Sequence, residues 1–83
     1  MKFTLLTPAQ QVADIEATAV TVDGEAGSFG VLPGHMPLVA MVQPGGSVSA
    51  TLENGKVQTY TVSAGVAEVT PQSVTILAES VSQ

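Results

Sequence analysis

The stretch Gly46-Ser47-Val48-Ser49-Ala50-Thr51-Leu52-Glu53-Asn54-Gly55-Lys56-Val57-Gln58-Thr59-Tyr60-Thr61-Val62-Ser63 decides the fold class. Val48, Ala50 and Leu52 alternate with Ser47, Ser49 and Thr51, the period of two that places apolar side chains on one strand face and hydroxyls on the other. Asn54-Gly55 follows. That dipeptide accepts the backbone angles of a tight hairpin at little cost, so the chain is expected to double back there, with Lys56 to Ser63 as the returning strand.

The same grammar runs outward in both directions. Toward the C-terminus, Gly65 interrupts, Val66 to Thr70 continues, and Pro71-Gln72 turns the chain. Ser73 to Glu79 then closes with Val74, Ile76 and Ala78 alternating, and Ser80 to Gln83 reads as a frayed polar end. Toward the N-terminus, Phe3 to Thr7 is a short strand ended by Pro8-Ala9. Val12 to Val22 reads as one strand, with Ile15, Ala17 and Ala19 on one face and Glu16, Thr18, Val20 and Val22 on the other. Its far end is therefore expected to be covered on both sides. Asp23-Gly24-Glu25, Pro33-Gly34 and Pro44-Gly45-Gly46 are turn signals that isolate Gly27 to Leu32 and Pro37 to Val42. Seven to nine short strands with turns about every ten residues, and no helical periodicity before Glu79, predict an all-β fold. The expected architecture is a small flattened β-sandwich or barrel of mostly antiparallel strands.

Eighty-three residues make one domain, residues 1–83. The chain is 45% hydrophobic with a mean hydropathy of +0.38 and only 11% charged residues, a composition that opposes disorder. Phe3, Phe29 and Tyr60 are its only aromatics, so small aliphatic side chains must build the core. A chain this short buries only about 60% of its unfolded surface, and it has no cysteine to staple it. A reducing compartment or a larger assembly is expected to supply what is missing. Net charge is −5 and Lys2 and Lys56 are the only cations, which excludes phosphate-rich partners: no nucleic acid and no docking on anionic lipid. No apolar run approaches the roughly 18 residues of a membrane helix, so no direct membrane insertion is expected. The start, Met1-Lys2-Phe3-Thr4-Leu5-Leu6, enters a strand pattern with neither a signal nor a transit peptide.

Catalytic equipment is missing from the composition. His35 is the only histidine and cannot assemble a zinc site alone, so no metal is expected. Asp23 and Glu25 lack the other ligands of a calcium loop and read as a solvated turn. Asp14 and Glu16 share a strand face, but no aromatic platform accompanies them and they read as two solvated strand charges. Gly24, Gly27 and Gly30 follow neither the dinucleotide nor the P-loop pattern, and no Gly-x-Ser-x-Gly turn presents a nucleophile. No cofactor is expected. What remains is Phe29-Gly30-Val31-Leu32-Pro33-Gly34-His35-Met36-Pro37-Leu38, an apolar loop stiffened by two prolines with His35-Met36 at its tip. Such a loop loses little entropy on binding and so suits a protein partner.

At these residues the chain resembles a known family. Gly27-Ser28-Phe29-Gly30-Val31-Leu32-Pro33-Gly34-His35-Met36-Pro37-Leu38, followed by Gln43-Pro44-Gly45, is similar to the epsilon subunit of the F-type rotary ATP synthase. Thr7-Pro8, Ser63-Ala64-Gly65-Val66-Ala67-Glu68-Val69 and Val74-Thr75-Ile76-Leu77-Ala78 extend the resemblance over the whole chain. It implies a β-sandwich at the foot of the central stalk, without catalysis or small-molecule substrate of its own, that couples the gamma subunit to the c-ring. On this resemblance Thr7, His35, Met36 and Ala40 match positions near gamma, and Glu25, Ala26, Gly27, Ser28 and Phe29 match the turn facing the c-ring. It further implies a peripheral protein on the cytoplasmic face of a bacterial plasma or photosynthetic membrane, as part of the synthase. Ser28 stands where many members carry glutamate, and Ala64 where a glycine is usual. Family members continue into a C-terminal helical hairpin that these residues do not contain, so ATP binding and braking through it are not expected of them. The alternative reading is a stand-alone ligand-binding β module; a small hydrolase is the third.

Overall fold

The computed structural model describes residues 1–82, and every structural statement below refers to them. Ten strands alternate with tight turns: β1 (Lys2–Leu6), β2 (Gln11–Glu16), β3 (Ala19–Gly24), β4 (Gly27–Val31), β5 (Leu38–Val42), β6 (Gly46–Thr51), β7 (Val57–Val62), β8 (Gly65–Val69), β9 (Ser73–Ala78) and β10 (Val81–Ser82). The described residues contain no helix, and the expected all-β class is observed. One layer has the order β10-β7-β6-β3-β4, the other β5-β8-β9-β1-β2. They are hydrogen-bonded to each other at a single bridge, Gly24 opposite Val42. All pairings are antiparallel except β1 with β9, which run parallel with Phe3 opposite Val74 and Leu5 opposite Ile76.

The deciding hairpin forms as its sequence dictates. Val48 lies opposite Tyr60 and Ala50 opposite Gln58, while Gly55 takes φ +87° in the turn, the left-handed angle that asparagine-glycine turns favour. The core lies between the layers. Val20, Val22, Val31, Val48, Ala50, Tyr60 and Val62 from one sheet meet Phe3, Leu5, Ala67, Val69, Val74, Ile76 and Ala78 from the other, all buried. The two buried aromatic rings, Phe3 and Tyr60, stack with centroids 6.2 Å apart, and the Tyr60 hydroxyl satisfies itself by donating to Gln58 Oε1 at 2.8 Å. Phe29 is only half-buried, at the mouth between the sheets.

Two expectations change. The single strand read from Val12 to Val22 breaks at Ala17-Thr18, because there the chain crosses from one sheet to the other. Ala17 N–H donates to Met1 O at 2.9 Å in the second layer, and Thr18 N–H to Thr51 O at 2.8 Å in the first. The inward set shifts phase with the crossing, from Ala13 and Ala17 to Val20 and Val22. The end read as frayed is instead tied down. Val81 and Ser82 pair with Val62 and Thr61, and the Ser80 hydroxyl donates to Ser63 Oγ at 2.9 Å. Gln83, the last residue of that expected frayed end, lies outside the described residues. Ala64 sits comfortably where a glycine was the usual residue, since no non-glycine residue has positive φ.

Candidate docking surfaces

The Leu32–Pro37 connection between β4 and β5 is held from within. Gly34 N–H donates to Pro71 O at 2.9 Å and His35 N–H to Leu32 O at 3.1 Å, which fixes the loop to the β8–β9 turn. His35 Nδ1 lies 2.6 Å from the Met36 carbonyl, and since a carbonyl only accepts, Nδ1 carries the proton. That leaves the outer ring nitrogen, Nε2, available to a partner. Met36 itself is 78% exposed, an unbranched thioether on a braced loop.

A second surface is the outer face of the β5-β8-β9-β1-β2 sheet. Met41 lies opposite Val66, Val66 opposite Leu77, and Leu77 opposite Leu6, so one apolar row crosses four strands. Met41 is 52% and Leu77 42% exposed. Beside the row the β1–β2 connection folds over, making an open groove of about 730 Å³ lined by Leu6, Thr7, Pro8, Met41, Val66 and Leu77 among others. Thr7 closes that connection on itself: its hydroxyl donates to Gln10 O and accepts from Gln10 N–H, both at 3.2 Å.

The third surface is the β3–β4 hairpin tip. Asp23 anchors it, accepting the Ser47 N–H at 3.0 Å and the Ser28 hydroxyl at 2.8 Å. These two donors, the Ser47 amide first, hold the Asp23 carboxyl below its ordinary value against a small opposing effect of burial. The tip residues Glu25, Ala26, Gly27 and Ser28 are exposed. Between the tip and β5 runs a smaller groove of about 470 Å³, lined by Glu25, Ala26, Gly27, Phe29 and Leu38 to Met41.

The structure groups the expected contact residues differently from their functional assignment. Glu25 to Phe29 form one continuous patch, as expected of a turn. Ala40, assigned to gamma, lines the same groove as that patch. The loop that carries His35 and Met36 is tied through Gly34 to Pro71, beside the Lys2 end of β1, whereas Thr7 follows its other end. The four residue steps from Lys2 to Leu6 span about 13 Å, so Thr7 and the His35–Met36 tip occupy opposite ends of the sheet. The apolar row of Leu6, Met41, Val66 and Leu77 escaped the sequence reading. Its signal was present in Leu38-Val39-Ala40-Met41-Val42 and Ile76-Leu77-Ala78, runs with apolar residues on both faces.

Comparison with known proteins agrees along the entire length. A family model described as the ATP synthase delta/epsilon chain β-sandwich domain matches residues 1–83. The ATP synthase epsilon chains of Brucella canis and Brucella suis are each 39% identical over 79 residues, covering 95% of this chain but 58% of theirs. The chain thus spans less than two thirds of these relatives. Among solved structures, a chain of the Euglena gracilis mitochondrial ATP synthase, in a structure of OSCP, F1 and c-ring, matches with TM-score 0.85 and 27% identity over 96% of this chain and 51% of that one. A chain of the Tetrahymena thermophila mitochondrial ATP synthase central stalk and c-ring shares the fold, with TM-score 0.77 at 13% identity over 99% of this chain and 65% of that one.

Proposed function

This chain belongs to the delta/epsilon β-sandwich family of the ATP synthases, and from that premise we propose that it is a non-catalytic part of the central stalk that links gamma to the c-ring. The observation that carries the reading is the unbroken apolar row Met41–Val66–Leu77–Leu6 on a sheet whose other side is already committed to the core. A second apolar face on a strand has no use in a free domain; it is surface waiting for a partner. A standard interface takes about 800 Å² from each partner, a large share of so small a domain.

In this arrangement the outer face, the Thr7 connection and the His35–Met36 loop grip gamma at both ends of the sheet. The Glu25–Phe29 tip projects toward the c-ring loops, with Ser28 committed to Asp23 rather than outward. The chain would then lie on the cytoplasmic face of a bacterial plasma or photosynthetic membrane as a peripheral component of the synthase. ATP chemistry is left to other subunits.

The test is capture of purified gamma by this domain, wild type beside His35→Ala and Met36→Glu, with circular dichroism as the folding control. Both residues are on a braced loop outside the core, so both variants are expected to keep the β spectrum and lose gamma. A well-folded wild type that ignores gamma overturns the coupling role.

A further inference from the structure

The seam between the two sheets leaves one strand edge unfinished. At the bridge between Gly24 and Val42, Gln43 N–H donates to Asp23 O at 2.7 Å and Glu25 N–H to Met41 O at 2.9 Å. These bonds show which backbone groups of β5 face outward from its ladder with β8. Successive residues of a strand alternate sides, so Val39, like Met41, directs its N–H and C=O toward the seam. Beyond Gly24 the hairpin turns away, and the Met41 N–H and both groups of Val39 have no backbone partner among the described residues. β5 thus projects past the β3–β4 tip with two donors and one acceptor in a row.

We propose that this edge is a strand-addition site: an extended segment of a partner protein, alternating apolar and basic residues, pairs with Val39 and Met41 in the groove between β5 and the hairpin tip. The backbone array matches an extended chain in number and spacing, since Val39 to Met41 span about 6.6 Å, the repeat of a strand. The groove supplies the side-chain preference. Its floor is the half-buried Phe29 and Ala40 and the partly exposed Leu38, the last two on the same strand face as the buried Val42, and it takes alternate apolar side chains at the mouth of the sandwich. The rim selects charge. Glu25 lines one side, and Glu68, exposed, stands directly opposite Val39 on β8. Among the described residues neither carboxylate has an ion pair; Lys2 on β1 is engaged with Asp14 on β2, and Lys56 lies in the β6–β7 turn of the other sheet. Lysine or arginine on the outward-facing positions would meet both acids. Val39, 71% exposed, offers its side chain to the aliphatic stems of those same residues.

The site does not depend on which subunits surround the chain, and its experiment stands apart from gamma capture. The probe is a short capped peptide of alternating valine and lysine, titrated into the 83-residue chain while amide hydrogen exchange is followed by NMR. Slowing of at least tenfold at the Val39 and Met41 amides is expected, with loss of binding for the same peptide N-methylated at alternate amides. Val39→Pro is the decisive variant. Its ring removes a donor that faces the seam and leaves the ladder to β8 intact, as prolines on edge strands do. It should retain the melting temperature of the wild type and lose the peptide. The proposal is overturned if the peptide fails to bind at millimolar concentration, if Val39→Pro binds it as well as wild type, or if the shifts fall on Leu6, Val66 and Leu77. Concentration-dependent protection of Val39 without peptide would assign the edge to a second copy instead.

Discussion

Truncating Met41 and Leu77 together to alanine probes the outer face, because both side chains project away from the core and are the most exposed members of the apolar row. Complete burial of such a side chain is worth about 1.5–3 kcal/mol. Met41 has 52% and Leu77 42% of its surface still to lose. Each therefore brings about 1 kcal/mol to an interface that covers it, and the pair about 2 kcal/mol, which is a roughly thirty-fold change in Kd. The assay is titration of gamma against wild type, Met41→Ala/Leu77→Ala and Val57→Ala. Val57 is just as exposed but lies in the other sheet, so its replacement should leave binding unchanged. Thermal melts of all three should agree closely, since exposed truncations shift stability by about 0.5 kcal/mol or less. If the double variant binds gamma within threefold of wild type, the outer face is not the grip. If it melts early, the two side chains support the fold, and the row loses its meaning as spare surface.

Two further outcomes follow from local geometry. Gly65→Ala would place a methyl 2.6 Å from the Leu77 carbonyl oxygen, so it should destabilise the domain by about 2 kcal/mol and lower Tm by roughly 10 °C, read by calorimetry. Asp23, whose carboxyl is held below its ordinary 3.8, stabilises the hairpin tip at pH values above 3.8 and stops doing so as pH falls through the lowered value; the Ser47 amide should lose exchange protection in that acid window, and Asp23→Asn should abolish the pH dependence.

Strand positions and class were legible because they depend on local chemistry. The Val48-to-Leu52 alternation and Asn54-Gly55 need only their neighbours to be read. The errors fall where tertiary choices override that grammar. Ala17-Thr18 carries neither glycine nor proline, so nothing local marks the crossing between sheets; only the phase slip from Ala17 to Val20 records it. Val81-Ser82 is too short to announce a strand and becomes one because Ser80 and Ser63 hydrogen-bond to each other. The site was legible as a motif around His35 and illegible as a surface. The row from Leu6 to Met41 gathers residues from β1, β5, β8 and β9, and the parallel β1–β9 pairing that joins it has no short-range signature.

That pairing also bears on how such a domain would carry load. Along the sheet, Thr7 and the His35–Met36 loop are connected by strands, whose covalent backbone and continuous ladders resist stretching. β1 pairs with β9 over five residues and with β2 on its other side, so neither end of β1 can move without the neighbouring ladders. Across the seam the situation is reversed. The strands of the two sheets share one bridge at Gly24 and Val42, and apart from covalent crossings such as Ala17-Thr18 the rest of their attraction is non-directional apolar packing. On the coupling reading, a force entering through the β5-to-β2 sheet reaches the hairpin tip along the Ala17-Thr18 crossing into β3, through that bridge and through the core, with few ladder bonds between the sheets to share it. An extended segment seated against Val39 and Met41 would add ladder bonds at the place where the sandwich has fewest. Occupancy of the β5 edge would therefore stiffen the hairpin tip without altering either sheet, and exchange protection at Glu25 and Gln43, the two seam donors, would report it.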